Sequence, residues 1–75
     1  MDEKEIKKIL FDKDEDFRKA VELHKEYEKT LDGLKKKSLL SYEEELREKE
    51  LKKKKLTLKD KMNWMISEYK KSLND

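Results

Sequence analysis

Three features of the sequence predict an all-α protein: an antiparallel coiled-coil helical hairpin preceded by a short N-terminal helix. The chain has no proline and one glycine in 75 residues, which removes most of the punctuation that sheets and loop-rich folds require. Lysine, glutamate and leucine dominate, as they do in long helices. Apolar residues also recur at alternating steps of three and four along two long segments, the a and d positions of a heptad.

The first helix is expected near residues 3–11, where Ile6, Ile9 and Leu10 form a short apolar stripe. The acidic run Asp12–Asp16 interrupts it. Within that run Asp14 suits the N-cap of a second helix, because its carboxylate can accept free amide hydrogens of the next turn while Glu15 and Asp16 face the positive end of the dipole. The second helix, near 15–37, carries Phe17, Ala20, Val21, His24, Tyr27, Leu31 and Leu34 on one seam. Gly33 falls near its end and is read as tolerated inside the helix, at a cost of about 1 kcal/mol against alanine, because Leu34 keeps the phase. Ser41 with Glu44 three residues later is a capping-box signature, so the third helix is expected over 42–71. Its inner face reads Leu51, Lys55, Leu58, Met62, Met65, Tyr69 and Leu73. Pairs at i, i+4 in the favourable order, Glu43 with Arg47, Glu45 with Lys49, Glu48 with Lys52 and Glu50 with Lys54, mark its exposed face.

The tight connection at residues 38–41 makes the two long helices antiparallel. With an even rise per residue, facing positions then sum to about 79. Phe17 faces Met62, Val21 faces Leu58, Leu10 approaches Tyr69, and His24 faces Lys55. Every layer is apolar except that of His24 and Lys55, where Asp60 or Glu28 can serve as a carboxylate partner. Trp64 and Ile66 fall off the seam. Either the N-terminal helix or a second subunit must cover them.

Composition limits what such a chain can do. At 53% charged and 33% hydrophobic, residues 1–75 form one small helical domain with little to bury, and chains of this size bury only about 60% of their unfolded surface. Disulfides and thiolate metal sites are excluded by the absence of cysteine, and one histidine does not build a zinc site alone. Neither a metal nor a cofactor is expected. Self-association, as a homodimer, is the expected supplement to the core, with Leu56, Trp64 and Ile66 as its interaction surface. No apolar run approaches the roughly 18 residues of a membrane span, and the acidic N-terminal residues do not have the form of a signal peptide. The expected location is the cytoplasm, and no membrane partner is expected.

The basic residues are the main alternative. Residues 1–34 hold 8 basic and 11 acidic side chains, net −3, and residues 35–75 hold 13 and 8, net +5. A nucleic-acid- or ribosome-associated factor would use Lys35, Lys36, Lys37, Lys52, Lys53 and Lys54 to displace counterions from a phosphate backbone. Such sites usually add arginines or stacking aromatics. Here glutamates share the helix surface, the chain has two arginines, and a solvated helix face explains the lysines better. No nucleophile, carboxylate pair or phosphate loop accompanies His24, so an enzyme is not expected. His24 with Lys55 reads instead as one polar layer that fixes register and partner choice.

Phe17, His24, Tyr27 and Leu31, then Ser41–Glu44 and above all Leu51-Lys52-Lys53-Lys54-Lys55-Leu56-Thr57-Leu58-Lys59-Asp60-Lys61-Met62, resemble the YdcH family of small bacterial proteins. In that family a phenylalanine and a histidine on the first long helix precede an L-K-x-x-K-L-x-L-K-D-E-I motif on the second. This chain departs from it at Lys61, usually glutamate, and Met62, usually isoleucine or leucine. The resemblance implies a helical hairpin without an established activity. It also singles out Phe17, His24, Leu51, Lys55, Leu56, Leu58, Lys59 and Asp60.

Overall fold

In a computed structural model, which describes residues 1–74, the chain forms three helices: α1 (Glu3–Lys13), α2 (Glu15–Lys35) and α3 (Tyr42–Asn74). At 1.5 Å per residue the 33 residues of α3 span about 50 Å, which sets the long dimension of a 52 × 19 × 16 Å rod. α2 packs antiparallel on α3, and α1 folds back over both at the end remote from the hairpin turn.

Asp14 divides α1 from α2 by itself. Its extended backbone, φ −112° and ψ 111°, breaks the helical path while its N–H still donates to Leu10 O at 2.8 Å. Its carboxylate accepts from the Phe17 amide at 3.1 Å, the N-cap read from the sequence. Arg18 then locks the corner, donating from Nε to Phe11 O (2.8 Å) and from Nη2 to Asp12 O (2.9 Å). A cation at the C-terminal carbonyls of α1 is well placed against the helix dipole. The same guanidinium lies 5.8 Å from the centroid of the Phe11 ring.

α1 and α3 run two and three residues beyond their expected ends, to Lys13 and Asn74, whereas α2 stops at Lys35, two residues short of its expected end. There the last turn tightens: Lys36 N–H still reaches Asp32 O, but Lys37 N–H shifts to Leu34 O, both at 3.2 Å. Gly33 stays inside the helix with ordinary backbone angles, as its phase predicts. The capping box at the start of α3 is formed in both directions, Glu44 N–H to Ser41 Oγ at 3.1 Å and Ser41 N–H to Glu44 Oε1 at 3.0 Å.

Glu44 also pairs with Lys37 across the turn. The Lys37 ammonium, with help from the Ser41 amide, holds the Glu44 carboxyl down at about 2, against an ordinary value of 4.5. A depressed pKa in the folded state means stabilisation that is complete above about pH 4.5 and is lost as pH falls towards 2. Glu44→Gln keeps an acceptor for the capping box but loses the charge. Its melting temperature is expected to lie below that of the parent at neutral pH, with the gap closing between pH 4.5 and 2. A gap that persists unchanged at the acid end would contradict the ion pair.

Two apolar clusters hold the helices together. At the α1 end Ile6, Leu10, Phe17 and Ile66 are buried, flanked by Phe11, Val21, Met62, Met65 and Tyr69. At the turn end Leu31, Leu34 and Leu51 are buried, flanked by Tyr27 and Leu40. Burying a side chain of this kind contributes about 1.5–3 kcal/mol. The last expected seam residue, Leu73, is exposed, because α1 does not reach that far along α3.

Candidate interaction surface

Between the clusters lies the polar layer. His24 is mostly buried on α2, and Glu28, one turn on, reaches both it and α3: Glu28 Oε1 lies 3.8 Å from His24 Nδ1 and 3.3 Å from Lys55 Nζ. The fourth atom of interest is His24 Nε2, which is buried and has no hydrogen-bond partner. A buried polar atom left unpaired costs about 1–3 kcal/mol. The layer therefore weakens the seam locally.

Asp60 is not part of that layer. It follows Lys55 by five residues, which at 100° per residue carries it about 140° round α3 to the solvent side, where it is exposed. Glu28 supplies the carboxylate instead, at the i, i+4 spacing from His24 that the sequence already offered.

The three residues expected to form an interaction surface divide. Ile66 is 3% exposed, packed beneath Ile6 and Leu10, so α1 of the same chain covers it and it is not available to a partner. Trp64 is 63% exposed and Leu56 60% exposed. Trp64 and Ile66 both fall off the seam, but two residues apart on a helix means about 160° apart in direction. Only one of them can lie under α1.

The lysines also separate. Lys35 ends α2 and Lys36 is its C-cap, Lys37 is engaged by Glu44, and Lys52 pairs with Glu48 at 3.6 Å. Lys52, Lys53 and Lys54 lie about nine residues along α3 from the point facing Lys35, roughly 13 Å at helical rise. They do not make one continuous strip with Lys35–Lys37.

A groove of about 610 Å³ opens where α1 leaves the hairpin. Phe11, Phe17, Val21, His24 and Met62 line its interior. Lys4, Lys7, Lys8 and Lys59 stand around it, with Asp12 and Asn63. Nothing in the sequence pattern announced it, since it arises from the angle at Asp14.

Among the described residues no group of three His, Cys, Asp or Glu side chains could hold a metal ion, and no helix is long and apolar enough to cross a membrane. Comparison with family models, with curated proteins and with solved structures finds no match to the chain.

Proposed function

We propose that the protein is a non-enzymatic helical-hairpin module for protein–protein interaction, acting in the cytoplasm and associating with itself as a homodimer. The observation that carries this reading is the exposure of large apolar side chains along α3, Trp64 at 63% and Leu56 at 60% among them, on a chain whose own core is two small clusters split by a polar layer. Exposed aromatic and aliphatic side chains are the usual anchors of an interface. Small helical scaffolds without disulfides or metals commonly gain their missing stability by oligomerising.

The resemblance to the YdcH family supports the same reading, because the shared positions Phe17, His24, Leu51, Lys55 and Leu58 fall on the seam of the hairpin. The competing reading, a nucleic-acid- or ribosome-associated factor, needs Lys35–Lys37 and Lys52–Lys54 to act together on one phosphate backbone. Their separation along the rod and the engagement of Lys37 and Lys52 by glutamates weigh against it.

Sedimentation equilibrium tests the proposal. The parent chain is expected to be dimeric at micromolar concentration, and Leu56→Ser with Trp64→Ser to weaken the dimer at least tenfold while leaving helicity intact. A stable monomer at that concentration would sink it. Binding to mixed RNA and DNA at two salt concentrations addresses the competing reading, which demands a strongly salt-dependent complex.

A further inference from the structure

α3 carries apolar side chains on two opposite sides. Leu51, Met62, Met65 and Tyr69 pack into the clusters that it shares with α1 and α2. Tyr42, Leu46, Leu56 and Trp64 are exposed, and at 100° per residue all four fall within about 40° of one line down the far side of the helix. That line steps by four and three residues through Tyr42, Leu46, Lys49, Lys53, Leu56 and Asp60 to Asn63, with Trp64 beside it, which is the spacing of a second heptad seam. Every side chain on it is exposed. Its three charged members, Lys49, Lys53 and Asp60, enter none of the ion pairs among the described residues.

We propose that two copies of this chain pair along this outer seam, α3 against α3 and antiparallel, in the register that sets Lys49 of each copy opposite Asp60 of the other. It rests on the self-association proposed above, and adds the face, direction and register of the dimer. A parallel pair would set Lys49 against Lys49, Lys53 against Lys53 and Asp60 against Asp60, three layers of like charge. Antiparallel pairing removes all three. Facing positions then sum to 109, so Leu46 meets Asn63 with Trp64 next to it, Lys53 meets Leu56, and Tyr42 meets Ser67.

The neighbouring heptad registers are worse. A sum of 102 sets Lys49 against Lys53 twice and leaves Trp64 opposite residue 38, before α3 begins; a sum of 116 sets Asp60 against Leu56, away from any lysine of the seam. The register at 109 overlaps residues 42–67 of both copies, about 38 Å at helical rise, and covers all four exposed apolar residues. The same face is used twice about a two-fold axis, which leaves nothing to recruit a third copy. A specific contact takes at least about 500 Å² from each partner, roughly a twelfth of the 6183 Å² surface of the chain. Lysine stems can lie over Leu56 while their ammonium groups stay in water. Exposed ion pairs are individually weak, so the apolar residues hold the dimer and the charges choose its direction and register.

Charge reversal tests the register. Lys49→Glu and Asp60→Lys, made in separate chains, each put like charges at both contacts, whereas a dimer with one copy of each variant restores opposite charge at both. The two side chains are exposed, and circular dichroism checks that each variant keeps its helices. Sedimentation equilibrium is expected to show each variant dimerising at least fivefold more weakly than the parent chain, and the equimolar mixture recovering parental association, which loss of folding cannot imitate. Lys61→Glu, an equal charge change about 100° from the seam, is expected to leave the dimer unchanged. A parent dimer that Lys49→Glu or Asp60→Lys leaves intact, a mixture that fails to recover, or an equal loss from Lys61→Glu would overturn this interface. If that dimer is nonetheless broken by the Leu56 and Trp64 substitutions, self-association stands and only the assigned direction and register fall. A monomeric parent chain removes both.

Discussion

Phe17→Ala is expected to lower the melting temperature by roughly 15–30 °C, the equivalent of about 3–5 kcal/mol in a domain of this size. Phe17 is 2% exposed and sits where all three helices meet, against Ile6 and Leu10 of α1 and Ile66 of α3. Truncating it removes the transfer energy of the ring and leaves a cavity that Ile6, Leu10 and Ile66 cannot fill without moving α1. Total stability for a chain of 75 residues is about 4–11 kcal/mol by the usual per-residue range. The substitution therefore takes a large part of it, and a variant partly unfolded at ambient temperature is the expected result. Thermal melts followed by circular dichroism give the number directly. A loss under about 1 kcal/mol would mean that α1 does not pack on the hairpin. The burial of Ile66 would then have to be explained by something other than α1.

The hairpin was legible because its information is local. Phe17, Val21, Tyr27, Leu31 and Leu34 on α2 and Leu51, Leu58, Met62 and Met65 on α3 each announce a seam through spacing alone, and the capping pair Ser41–Glu44 marks where the chain turns. The direction of α1 depends on one backbone angle pair at Asp14 and on Arg18 reaching back seven residues to Phe11 O, a contact with no periodic signature. That is why spacing alone does not choose between α1 and a second subunit as the cover over Ile66, and does not show the groove. The charged pairs on α3 were legible as a type of surface and not as contacts. Of the four Glu-first pairs expected, Glu48–Lys52 closes among the described ion pairs, as suits side chains whose attraction in water barely exceeds the entropy of holding them still. Glu28 had the right spacing from His24. The direction of Asp60 on α3, about 140° from Lys55 by its five-residue spacing, is the reason to prefer Glu28.

His24→Leu is expected to stabilise the fold by about 1–3 kcal/mol, the cost of the unpartnered buried Nε2 atom that it removes. The gain should cost specificity. In the parent chain the polar layer separates two apolar clusters, and a heptad slip that brings His24 opposite Met62 would also set Lys55 against Leu31 and separate Glu28 from Lys55. With leucine at 24 the α2 seam is apolar from Phe17 to Leu34, and displaced registers lose much of their penalty, as happens when a single polar position is erased from a coiled coil. Glu28 and Lys55 still pair at 3.3 Å, so the native register should survive as the major one. Adding Lys55→Leu should release it further. Melting curves read the stabilisation. Doubled or broadened amide signals in a nitrogen–proton correlation spectrum, together with a broadened range of oligomers in sedimentation, read the loss of register. A large drop in stability with a single sharp set of signals and unchanged association would show that His24 holds the seam together, the opposite of the role argued from its unpaired nitrogen.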